Sequence, residues 1–149
     1  MAASLPTIPR VVFTILEPLS LVAGFIGAIQ NPAWFVQQQV PLDEPLPVTE
    51  NGIVLALQLG NMYLLMFFVG VAVLYTTSEV KVVRNYLVAA WLADIGHIAF
   101  SCYGLGKERC LDPAGWNATT WGNIGATWDG WLFCVLRATT NNNTARKTS

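Results

Sequence analysis

Four stretches of the chain are apolar at almost every position for about 20 residues, the length that crosses a hydrocarbon core near 30 Å. They fall at 11–29, 53–75, 85–105 and 119–137 and predict four membrane-spanning helices. The second, from Ile53 to Tyr75, holds no charged residue, whereas the fourth is rich in Trp and Gly and has a re-entrant path as its alternative. Glu17-Pro18 interrupts the first run, which favours a retained helix over a cleaved signal peptide. A Pro-rich segment over 41–47 predicts a loop, and the Asn-rich end over 139–149 predicts a disordered cytosolic tail. The expected fold class is all-α: an integral membrane four-helix bundle forming a single domain over 1–138.

Composition strengthens the membrane reading. Of 149 residues, 54% are hydrophobic and 11% charged, against roughly 25% charged in soluble domains, and the mean hydropathy is +0.47. A net charge of -1 gives no basic field for a nucleic-acid partner. Arg10, Lys81, Arg84, Arg137, Arg146 and Lys147 fall on one side of the predicted spans, and only Lys107 and Arg109 on the other. Both termini are therefore expected in the cytosol, in an endoplasmic-reticulum-type membrane. The sequon Asn117-Ala118-Thr119 then lies on the luminal side, close to the membrane. Cys102, Cys110 and Cys134 have no metal-binding spacing; free buried thiols are expected, with a Cys102–Cys110 bridge as the alternative.

Polar groups inside an apolar span need a reason. At helical spacing, span one aligns Glu17, Ser20, Gly24 and Gly27, and span two aligns Gln58, Asn61 and Leu65. Span three aligns Ala90, Asp94, His97 and Ser101, and span four aligns Gly122, Ala126 and Asp129. Small residues beside polar ones mark faces where membrane helices approach closely, so the four stripes are expected to converge. Counting from the assigned cytosolic ends, Glu17 lies roughly 9 Å deep, Asp129 about 12 Å, Asp94 about 14 Å, and His97 and Asn61 about 20 Å. Three carboxylates crowded without an intramembrane Lys or Arg cannot all ionise cheaply, so one is expected to keep its proton while another gives it up. Structural readings compete at each position: Gln58 and Asn61 as interhelical glue, and Asp94 with His97 as a self-neutralising pair. Trp34, Trp116 and Trp121 read as interfacial, while Trp91, Trp128 and Trp131 are candidates to wall an apolar substrate cavity.

The stretches IPRVVFTILEPLSLVAG, LQLGNMYLL, WLADIGH and WGNIG resemble a family of small fungal membrane proteins with four helices. The resemblance runs from Pro6 to about Arg137. In size and character the chain is similar to the membrane-bound epoxide hydrolases and cyclases of polyketide pathways of the aurovertin and citreoviridin type. More remotely it resembles emopamil-binding sterol isomerases and membrane terpene cyclases, at the level of the fold.

That resemblance implies an enzyme of fungal secondary metabolism that opens an epoxide on a hydrophobic polyketide or terpenoid. The chemistry needs a proton donor for the epoxide oxygen and a base for water or a substrate hydroxyl. Glu17 and Asp94 are the candidate acid and base, His97 tunes or relays the proton, and Asp129 and Asn61 orient the nucleophile. Gln58, Trp91, Trp128 and Trp131 are candidate substrate contacts. No cofactor and no metal is implied, since the chain has no Gly-rich nucleotide loop and no metal-ligand cluster. The expected partners are a hydrophobic small-molecule substrate and membrane lipid, with a homo-oligomer and the monooxygenase that makes the epoxide as further candidates. The alternatives are an alkene-protonating isomerase or cyclase, and a non-catalytic scaffold.

Overall fold

The computed structural model describes residues 7–127, and these form helices and connecting turns with no strand among them. Helix α1 spans Thr7–Gln30, α2 Pro32–Gln37, α3 Glu50–Thr76, α4 Val80–Leu105 and α5 Lys107–Cys110. A 3-10 turn at Pro113–Gly115 leads to α6, Ala118–Thr120, which continues in π form over Trp121–Ala126. Helices α1, α3 and α4 are long and apolar enough to cross a membrane. They contain the first three predicted spans and lengthen each by a turn or so. The start of the fourth predicted span is helical, but its remainder and the predicted tail lie outside the described residues.

The boundaries follow from local chemistry. Thr49 opens α3 by accepting the Gly52 N–H on its hydroxyl at 3.1 Å, and Asn31 opens α2 by accepting the Trp34 N–H at 3.0 Å. Pro32 at the first position of α2 removes a donor that the first turn cannot use. Helix α4 ends at Gly106, whose φ of 79° suits a residue without a Cβ.

Pro18 shapes the middle of α1. Lacking an N–H, it leaves the Thr14 carbonyl without its helical donor and crowds it. The helix widens to π form over Val12–Leu16, where the Glu17 N–H reaches back to the Val12 carbonyl. Across the bundle, Tyr75 of α3 donates its hydroxyl to the Thr14 carbonyl at 2.7 Å. Tyr75→Phe is therefore expected to lower stability by about 1–2 kcal/mol, seen as a fall in the thermal midpoint in detergent. An unchanged midpoint would mean that this carbonyl needs no donor.

Helices α1 and α3 make the most extensive interhelical contact. Their seam is built on small residues: a Cβ on Gly60 would lie 2.9 Å from the Ala28 Cβ, and one on Gly24 would lie 3.0 Å from the Tyr63 ring. Buried clusters close the two ends. Ala28, Phe35 and Ala56 pack with Val36 and Tyr63 near α2, while Phe13, Leu74, Val83 and Leu87 pack with Val12 and Tyr86 near the α3–α4 turn. Gly24→Leu must displace Tyr63 and is expected to cost about 1–3 kcal/mol. A wild-type melting curve for this variant would put Gly24 on an open face.

Candidate functional site

The lower cluster sets the register of α1 against α4. Phe13 packs with Val83 and Leu87, so Glu17, one turn and about 6 Å further along α1, comes level with Ala90. On α4, Tyr86, Ala90 and Asp94 follow one another at single-turn spacing on one face. Ala90 is buried and small, which leaves room for the carboxyl that Tyr86 and Asp94 bracket. Glu17 interacts with both: the Tyr86 hydroxyl approaches its carboxyl without closing a well-formed hydrogen bond, and the Asp94 charge acts on it. Helix α3 contributes a glycine to the wall, since a Cβ on Gly70 would sit 2.8 Å from the Tyr86 hydroxyl oxygen.

Glu17 Oε2, the Tyr86 hydroxyl and Asp94 Oδ2 are all buried without a hydrogen-bond partner. Such groups are rare in folded chains, and each costs about 1–3 kcal/mol when left unpaired. Three together, drawn from two helices, form a buried polar cluster halfway along the bundle. Their chemistry is complementary: a carboxylic acid donates a proton, a carboxylate accepts one, and a phenol donates a hydrogen bond to an oxygen that gains charge.

A second polar layer lies one turn beyond. His97 is in hydrogen-bonding reach of the Asn123 side chain, whose amide donates to Gln39 Oε1 at 3.4 Å. Gln39, Ser101, Thr120 and Asn123, with Phe100 and Ile124, line a cavity of about 150 Å³ at this end. Ser101 is one turn past His97, so the stripe of α4 runs without a break from Tyr86 to the cavity.

The α4 and α1 stripes therefore bring Glu17, Asp94 and His97 to one side of the bundle, with Trp91 half-buried beside Ala90. Two expectations need correcting. Gln58 and Asn61 are exposed, on the side of α3 opposite the Ala56–Gly60 seam, and so do not join this cluster. The close approach that Gly60 and Ala56 permit fixes the rotation of α3, and the amides turn outward with it. On the fourth segment Gly122 is exposed, whereas Thr120, Asn123 and Ile124 face inward. The wider π winding there changes which positions share a face. Asp129, Trp128 and Trp131 lie outside the described residues, as does the Ala126 side chain.

Sequence reasoning missed Tyr86 and Asn123. The first was legible, since it stands one turn before Ala90 in the stripe already drawn. The thiols also need correcting: Cys102 and Cys110, 5.2 Å apart at Cα, are joined in a disulfide. The turn at Gly106 folds α5 back on α4 and brings them together. Asn117 is occupied as a helix cap: its Oδ1 accepts the Thr120 N–H at 2.8 Å and its amide donates to the Gln38 carbonyl at 3.0 Å. Both bonds hold the side-chain amide that glycosylation would need. Among the described residues no group of three or more His, Cys, Asp or Glu could hold a metal ion.

A family model described as a domain of unknown function, DUF7704, matches residues 2–143. The chain belongs to the DUF7704 family. No curated protein and no solved structure matches this DUF7704 chain.

Proposed function

We propose that this protein is a membrane-embedded enzyme that opens an epoxide on a hydrophobic polyketide or terpenoid by carboxylate acid/base catalysis. The observation that carries the reading is the convergence of Glu17, Tyr86 and Asp94, three polar side chains without hydrogen-bond partners in an otherwise apolar interior. Crowded carboxyls resist joint ionisation, so one carries a proton and the other does not. The protonated one donates to the epoxide oxygen as its C–O bond breaks, and Tyr86 hydrogen-bonds the oxygen as it gains charge. The ionised one removes a proton from water or from a substrate hydroxyl, whose oxygen attacks the epoxide carbon. The pair gives up one proton and takes one, so its total protonation is unchanged, and the proton, now on the other carboxyl, passes back to restore the starting state. His97, in reach of Asn123, stands along α4 between the carboxyl cluster and the cavity and passes protons between them.

In this reading α1, α3 and α4 cross an endoplasmic-reticulum-type membrane with the fourth segment, and substrate enters laterally from lipid. The Cys102–Cys110 bridge supports a luminal position for the α4–α6 connection, because disulfides persist in oxidising compartments. The basic residues gathered at the opposite end support the same orientation.

The test is incubation of the purified chain in lipid nanodiscs with lipophilic epoxides in ¹⁸O-labelled water. A hydrolase gives a diol carrying the label, and a cyclase gives an unlabelled isomer of the substrate. Recovery of every epoxide unchanged would overturn the proposal.

A further inference from the structure

The most conspicuous polar groups outside the Glu17–Tyr86–Asp94 cluster are Gln58 and Asn61. They stand one turn apart on α3, exposed, among Val54, Leu65 and Phe68, which are 51%, 48% and 57% exposed. Counting from Glu50, they lie about 12 and 16 Å along the helix, well inside the hydrocarbon if α3 crosses a membrane. Lipid chains offer no hydrogen bonds, so two amides directed at them would stay unpaired. Nothing in α1 or α4 can supply the partner from its observed position. Gly60 faces Ala28 of α1 and Gly70 faces Tyr86 of α4, which leaves the amides on the far side of α3.

We infer that the Gln58–Asn61 face of α3 pairs with the same face of a second copy of this chain, making a parallel two-fold dimer in the membrane. A carboxamide is both donor and acceptor, so an amide face is complementary to itself across a two-fold axis. The apolar residues above and below are likewise suited to packing on their own copy. Amides on transmembrane helices bond across helix pairs in this way. The dimer leaves the Glu17–Tyr86–Asp94 cluster on the opposite side of α3, clear of the two-fold interface in each copy. The inference rests on the membrane reading but not on the epoxide chemistry.

The experiment uses the full chain with Cys134→Ser, leaving the Cys102–Cys110 bridge intact. Leu65→Cys places a thiol on the proposed two-fold axis, and Leu92→Cys places one on the exposed face of α4 as a control. Membranes are washed in alkaline carbonate, then oxidised, and dimer is scored by non-reducing electrophoresis. Leu65→Cys is expected to cross-link between copies well above Leu92→Cys. Adding Gln58→Leu and Asn61→Leu is expected to bring it down to the control, with the thermal midpoint reporting that the bundle remains folded. Cross-linking of membrane-retained Leu65→Cys no greater than the control overturns the inference, including the outcome in which its thiol is held within one chain. So does a dimer that survives both leucines. Release of the chain by carbonate is a different result, and it would instead remove the membrane reading.

Discussion

Asp94→Asn is expected to slow turnover of a lipophilic epoxide by about 10²–10⁴-fold while leaving substrate binding largely intact. The substitution keeps the shape and polarity of the side chain and removes only its ability to exchange a proton. Binding draws on apolar burial along the bundle, which the amide does not disturb, so the loss should fall on kcat rather than KM. Glu17→Gln should behave alike, because one carboxyl gives a proton to the epoxide oxygen and the other takes one from the nucleophile. Steady-state kinetics in nanodiscs decide the matter. A variant that turns over at the wild-type rate would reduce Asp94 to a structural group, and loss of the folded bundle would point to a scaffold.

The second large effect concerns stability. Replacing both Cys102 and Cys110 by serine is expected to cost about 2–3 kcal/mol, the entropy of closing so short a loop. The bridge anchors α5 to the end of α4, beside Ser101, Gly104 and Leu105 of the cavity wall. Beyond it the Trp116 indole donates to the Arg109 carbonyl at 2.8 Å and its ring meets Trp121 edge-on. Reductant should lower the thermal midpoint of the wild-type chain by the same amount and leave the serine variant unmoved. Equal midpoints in all four conditions would show that the bridge contributes nothing.

Which parts of this arrangement can be read from the residues alone depends on how many forces act at each position. The three long helices are legible because uninterrupted apolar runs admit few alternatives. On α4 the small and polar residues share a face, so Ala90, Asp94, His97 and Ser101 point the same way, and the stripe extended backward finds Tyr86. On α3 the two signals disagree. Gln58 and Asn61 suggest one face and Ala56, Gly60 and Gly70 another, and the small residues prevail because only they allow α1 and α4 to approach so closely. Polarity alone was a poor guide there, since an amide can be satisfied outside the subunit. The phase of the fourth segment was beyond a fixed helical period, because its π winding shifts each successive position. The widening before Pro18 is foreseeable as a kink, but the rescue of Thr14 by Tyr75 joins residues 61 apart and has no local signature.

The central claim is that Glu17 and Asp94 act together on one substrate, and a double-variant cycle tests it most directly. Turnover is measured for the wild type, Glu17→Gln, Asp94→Asn and the two combined, each in the same nanodiscs with the same epoxide. Groups that serve a single proton-transfer step are strongly non-additive. The expected result is a combined variant about as slow as the slower single one. Losses that multiply, or single variants close to wild type, would contradict a shared site.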